Sequence, residues 1–132
     1  MTKENEVTVV QQTAPLPTSR TERERGYVRP ATDVYESADA YVIMMDMPGA
    51  GKETINVIMD NTALVVKGAV KVHHRDNADL LINEIQAKGY YRVYRLGGGI
   101  DRTTVDARFE HGILTVKLFK TEEARPRDIT IN

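Results

Sequence analysis

The chain has 132 residues, enough for one domain of ordinary size, and its net charge of −1 supplies no global field for nucleic acid or an anionic membrane. It has no cysteine, which excludes disulfides, thiol nucleophiles and cysteine-ligated metals. No apolar run approaches the roughly 20 residues of a spanning helix, and "MTKENEVTVVQQ" has no apolar signal region after its basic residue. A soluble, cytoplasmic protein without a membrane span is the expectation.

Residues 1–28 are rich in Thr, Glu, Arg and Gln, contain Pro15 and Pro17, and lack Phe and Trp. Val7, Val9, Val10 and Leu16 offer most of the aliphatic surface there. So little burial does not offset the ordering entropy, and the segment is expected to be a mobile arm. Arg20 to Arg25 has the mixed charges of a short helix.

From Pro30 onward the pattern is one of strands. In "AYVIMMDM", Tyr41, Ile43, Met45 and Met47 share a face, and "PGAGKE" then breaks the run at Pro48. "TINVIMD" puts Ile55, Val57 and Met59 together, and "NTALVVKGAV" opposes Leu64 and Val66 to Val65 and Lys67. "YYRVYRL" alternates aromatic and basic residues. "TTVDARFE" sets Val105, Ala107 and Phe109 against Asp106, Arg108 and Glu110, and "GILTVKLF" aligns Leu114, Val116 and Leu118. Period-two alternation punctuated by Gly, Pro, Asn and Asp predicts antiparallel sheets packed face to face. The predicted fold is all-β, an immunoglobulin-like antiparallel sandwich of about seven to nine strands over residues 29–120.

Residues 71–89 are too long for a tight hairpin. They carry "LLINEI", which reads as a short extra strand, and such an excursion is suited to reaching the sheet edge of a partner. The extension 121–132 ends in "RPRDITIN". Ile129 and Ile131 point the same way in an extended chain, with Thr130 turned aside. Pro126 resists regular pairing, and the nine-residue tether after Lys120 spans roughly 30 Å when extended. Burying one isoleucine is worth about 1.5–3 kcal/mol. The two therefore form a weak, exchangeable plug for another subunit, the last strand of the chain's own sheet, or part of a disordered end.

Four features in order give the sequence a resemblance to the small heat-shock protein (alpha-crystallin) family, of the bacterial or plant type. "DVYESADAYVIMMDMPG" resembles the opening strands with their Asp-x-Pro-Gly corner, at Asp46, Pro48 and Gly49. "YYRVYRL" is similar to the aromatic-x-Arg-x-aromatic-x-Leu strand, at Tyr90, Arg92, Tyr94 and Leu96. "ARFEHGILTV" resembles the Ala-x-x-x-Asn-Gly-Val-Leu signature, carried by Ala107, Gly112, Ile113 and Leu114 with His111 in place of Asn. The Ile-x-Ile tail closes the set. The proline that usually follows the Leu96 position is replaced by Gly97, Gly98 and Gly99, which predicts a looser connection.

The resemblance implies an ATP-independent holding chaperone. It would bind unfolded or partly folded clients and pass them to ATP-dependent refolding chaperones. It also implies a strand-swapped dimer and higher homo-oligomers, with Leu80, Leu81, Ile82, Ile85 and Arg92 at the dimer interface. The tail would dock in a groove drawing on Ile55, Val57, Met59, Val105, Ala107 and Phe109. Alternation alone does not separate the face lining that groove from the face filling the core. Asp76, Asp79 and Glu84 are alternative ion-pair partners for Arg92, whose other reading is an exposed arginine stacked on its aromatic neighbours.

No enzymatic centre or cofactor is expected. His73 and His74 are adjacent and point oppositely on an extended chain, and no second cluster completes a metal site. "GGG" lacks the Lys-Ser/Thr of a phosphate loop. No Ser-His-Asp or paired-carboxylate constellation is evident. The competing readings are a co-chaperone module of the same sandwich, which lacks the tail motif, and a membrane-surface stabiliser, for which a basic amphipathic helix is missing.

Overall fold

The computed structural model describes residues 6–7, 9–11, 25–71, 75–84, 87–126, 129 and 131. His73, His74, Ile85 and the run Arg20 to Arg25, apart from Arg25 itself, lie outside them.

The alternating segments form strands: β1 (Val9–Gln11), β2 (Tyr27–Val28), β3 (Thr32–Glu36), β4 (Ala40–Asp46), β5 (Ala50–Met59), β6 (Ala63–Val70), β7 (Gly89–Arg95), β8 (Ile100–Glu110) and β9 (Ile113–Lys120). They build a five-stranded sheet in the order β1-β5-β6-β7-β2 and a four-stranded sheet in the order β3-β4-β9-β8. Among the described residues there is no α-helix, only a single 3-10 turn at Glu122–Ala124.

The chemistry of each run decides its face. In β9, Leu114, Val116 and Leu118 are buried and alternate with half-buried neighbours, as period two requires. They meet Ile43, Met45, Val57, Met59, Leu64 and Val66 in one core between the sheets. Met45, Met47 and Met59 are fully buried, and their unbranched side chains fill the irregular gaps that a core with few aromatics leaves.

Antiparallel pairs join β3 to β4, β4 to β9, β8 to β9, β5 to β6 and β6 to β7. The two parallel pairs, β1 with β5 and β2 with β7, both come from the N-terminal 28 residues. The stretch expected to stay clear of the sandwich thus supplies two short strands. Its valines are few, but Val7 and Val9 are two residues apart and so face the core together: Val7 is buried and Val9 is packed against the core.

Local irregularities have identifiable holders. The register of β5 shifts between Ala50 and Ile55. There the Thr54 hydroxyl accepts from the Gly51 N–H at 3.0 Å and donates to the Ala69 carbonyl at 2.7 Å. The β5–β6 connection is an Asp turn, in which the Asp60 carboxylate accepts from the N–H groups of Thr62 and Ala63, both at 2.7 Å. These bonds hold the Asp60 carboxyl below the usual carboxylate range, Thr62 contributing most. At the end of β9 the nearly buried Lys120 ammonium donates to Glu36 on β3 at 2.8 Å, which likewise lowers the Glu36 carboxyl.

Candidate functional site: an edge groove, a tail and a loop

Three of the sequence motifs meet at one end of the sandwich. At the corner between β4 and β5, Ala50 N–H donates to the Met47 carbonyl at 3.2 Å, and Gly49 has φ +87°. This is a type II turn with proline and glycine at its two central positions. At the β8–β9 hairpin, Glu110 pairs with Ile113 around His111 (φ 52°) and Gly112 (φ 75°). Positive φ at both central residues defines the type I′ turn that suits a two-residue hairpin. Met47 N–H donates to the Gly112 carbonyl at 2.8 Å, and the Tyr90 hydroxyl donates to the Pro48 carbonyl at 2.7 Å. The corner, the hairpin and the aromatic strand thereby lock to one another.

The triple glycine is also held. Arg102 Nη2 donates to the carbonyls of Gly97 at 3.0 Å and Asn61 at 3.1 Å, and Nη1 donates to that of Ile100 at 2.9 Å. Thr121 N–H donates to the Gly99 carbonyl at 2.9 Å, tying the root of the C-terminal extension to the same loop. The loop expected to be loose is clamped by a residue that sequence reasoning did not single out. Nothing in the alternation of β8 marks Arg102 as different from Arg108.

The residues expected to line a groove lie on β5 and β8, which belong to different sheets. Ile55, Val57, Met59 and Ala107 are buried and face the core. Val105 and Phe109 are half-buried and packed against it. The N-terminal segment lies along this edge. Val7 N–H donates to the Ala107 carbonyl at 2.7 Å, and Glu6 bridges to Arg108 on β8. Val9, Val10 and Gln11 then pair with Val57, Ile58 and Met59 on β5. One short segment thus spans the mouth from sheet to sheet, an arrangement that a search for alternating runs passes over because it is so brief.

The segments predicted to reach a partner are exposed. Ile129 and Ile131 are 85% and 92% exposed, and Leu80, Leu81 and Ile82 are 76%, 91% and 76% exposed. Among the described residues of "LLINEI" there is no strand; a strand needs a neighbour, and no pairing is formed there among the described residues. At the open edge of the four-stranded sheet, β3 pairs with β4 alone and exposes Val34 and Tyr35. Arg92, on β7, is half-buried. Its Nη1 donates to the Pro30 carbonyl at 3.3 Å and its guanidinium lies 4.9 Å from the centre of the Tyr94 ring. Asp76, Asp79 and Glu84 are exposed on the loop. Among the described residues no cluster of three histidines or carboxylates is arranged to hold a metal ion, and no helix is long and apolar enough to cross a membrane.

The two-sheet sandwich and the sequence motifs it carries have known counterparts. Residues 33–132 match the model of the Hsp20/alpha crystallin family, and the chain belongs to that family. It is 32% identical over 97 residues to the 17.8 kDa class I heat shock protein of Arabidopsis thaliana, covering 72% of this chain and 62% of that one. It is 28% identical over 103 residues to small heat shock protein C2 of Rickettsia felis, covering 77% and 67%. A heat shock protein of Dictyostelium discoideum is 32% identical over 110 residues, and there the chain spans only 26% of the relative's length. Among solved structures, heat shock protein 16.0 of Schizosaccharomyces pombe superposes with a TM-score of 0.65 at 27% identity, over 80% of this chain and 99% of that one. A small heat-shock protein of Xylella fastidiosa, described as having a distinct high order structure, superposes with a TM-score of 0.64 at 26% identity, over 81% and 98%.

Proposed function

We propose that the chain is an ATP-independent holding chaperone, a binding protein without an enzymatic centre or cofactor, which keeps partly unfolded proteins from aggregating. The observation that carries this reading is where the large apolar side chains are exposed. Leu80, Leu81 and Ile82 lie on the loop, Ile129 and Ile131 on the tail, Val34 and Tyr35 on the edge strand β3, and Val28 on β2. Five of these eight lie outside any strand or helix. They contribute nothing to the chain's own core, so their use lies between chains.

The loop of one chain pairs with β3 of another. This covers an otherwise open edge and gives the segment around Leu80–Ile82 the neighbour that it lacks. Arg92 then serves at that interface. The tail enters the groove between β5 and β8 of a further copy. Burial of two isoleucines gives a few kcal/mol before tether entropy, which makes the link exchangeable. Exchange intermittently uncovers apolar surface, the property that a holding chaperone needs. Clients and the ATP-dependent chaperones that take them over are the remaining partners, in the cytoplasm. Native mass measurement of Ile129→Ala/Ile131→Ala tests the docking step. The expected result is loss of species larger than the dimer, and an unchanged oligomer overturns it.

A further inference from the structure

The first residues of the C-terminal extension are fastened where the triple glycine is. Arg102 reaches three carbonyls at that end of the sandwich: Asn61 in the β5–β6 turn, Gly97 in the β7–β8 loop and Ile100 at the start of β8. Glycine backbone is the most costly to order, and a Cβ added at Gly97 or Gly98 would meet nothing within 4 Å. The loop has no packing of its own there, and the planar guanidinium fork of Arg102 supplies its hold. Gly99, at φ +84°, carries this order to the extension. Its carbonyl accepts from Thr121 N–H at 2.9 Å. Ala124 sits against it, with the Ala124 Cβ 3.0 Å from where a Cβ on Gly99 would stand. The turn at Glu122–Ala124 is closed by Ala124 N–H to the Thr121 carbonyl at 3.1 Å and by Arg125 N–H to that of Glu122 at 3.2 Å. Arg125 Nε returns to the Lys120 carbonyl at 3.2 Å.

We propose that Arg102 is a positioning residue for the tail: through Gly99 and Thr121 it fixes the direction in which the C-terminal extension leaves the sandwich, and so restricts which copies the tail reaches. This rests on the tail-in-groove reading above and adds to it a control of subunit number. A tether released from Lys120 onward places Ile129 anywhere within roughly 30 Å. With residues 121–125 held, only the steps from Arg125 to Ile129 remain, about 13 Å of reach from a fixed point. A short tether raises the effective concentration at a groove within its span and lowers it to near zero at a groove beyond it. One relative placement of two copies is thereby selected over the others, and assembly closes at one subunit number instead of spreading over a range.

The test compares the native masses of the unaltered chain, Arg102→Ala, Thr121→Pro and Thr121→Val. Thr121 has φ −66°, so proline fits its backbone while removing the N–H given to Gly99, and valine keeps that N–H. Each chain is also made with Ile129→Ser/Ile131→Ser and titrated with a synthetic peptide of residues 125–132. Cooperative thermal unfolding confirms that each variant is folded. The expected result is one dominant assembly for the unaltered chain and Thr121→Val, and a spread over at least three subunit numbers for Arg102→Ala and Thr121→Pro. Peptide affinity stays within about twofold throughout, since the groove itself is untouched. A role in stability alone lowers the thermal midpoint of Arg102→Ala and leaves one dominant assembly. That result, one dominant assembly in folded Thr121→Pro, or an unaltered chain already spread over several subunit numbers overturns the positioning role and leaves the tail-in-groove reading standing. No peptide binding to any folded chain overturns both. If Arg102→Ala does not fold, Thr121→Pro decides alone, because the Gly99–Thr121 bond is the route by which Arg102 acts.

Discussion

At the scale of single residues, the hairpin turn between β8 and β9 joins local chemistry to the packing of the sandwich. His111 sits at φ 52° where a type I′ turn asks for a left-handed residue, and Gly112 beside it accepts the hydrogen bond from Met47. A left-handed conformation costs most L-residues about 1–2 kcal/mol, and asparagine adopts it more readily than histidine. The exposed imidazole approaches Glu110 at 3.8 Å, a contact of little weight at a solvated surface. His111→Asn is therefore expected to stabilise the chain by about 0.5–1 kcal/mol. Chemical denaturation with an unchanged slope is the check, and a lower midpoint contradicts it. The sequence showed that this was a turn and that its first residue was unusual. The locking of the turn to Met47 joins residues far apart in the chain and was not legible.

At the scale of elements, β4, β5, β6, β7, β8 and β9 are readable because each is seven residues or longer and most contain a stretch of alternation, clearest in β9, whereas β6 is buried at four successive positions from Ala63 to Val66. Their core faces follow from period two, and Ile55, Val57 and Met59 fall together as the pattern requires. Beyond that the limits are physical. β1 has three residues and β2 has two, too few for a period to register, and both are held by pairing to a longer strand. The loop segment Leu80–Ile82 has the composition of a strand but no strand pairing among the described residues, and the proposal assigns it to a partner's edge. Leu80→Ser/Leu81→Ser/Ile82→Ser should then abolish dimer formation while changing the monomer's thermal midpoint by no more than about 1–2 °C, since side chains already exposed lose little on truncation. Sizing and calorimetry on the same sample separate the two effects. A persistent dimer removes the loop from the interface.

At the scale of the whole molecule, the account is one of apolar surface held in exchangeable contacts. The core cluster between the sheets is built from residues of one chain. Leu80, Leu81, Ile82, Ile129 and Ile131 are exposed beyond it, and the proposal seats them at β3 and between β5 and β8 of other copies. The net charge of −1 gives little long-range repulsion between copies. The most direct measurement is the turbidity of an unrelated heat-labile protein warmed with this chain and no nucleotide, alongside the native mass of the chain in the same buffer. The account predicts suppressed aggregation at near-stoichiometric amounts by a species of dimeric mass or larger. A monomer that leaves the aggregation curve unchanged would contradict it.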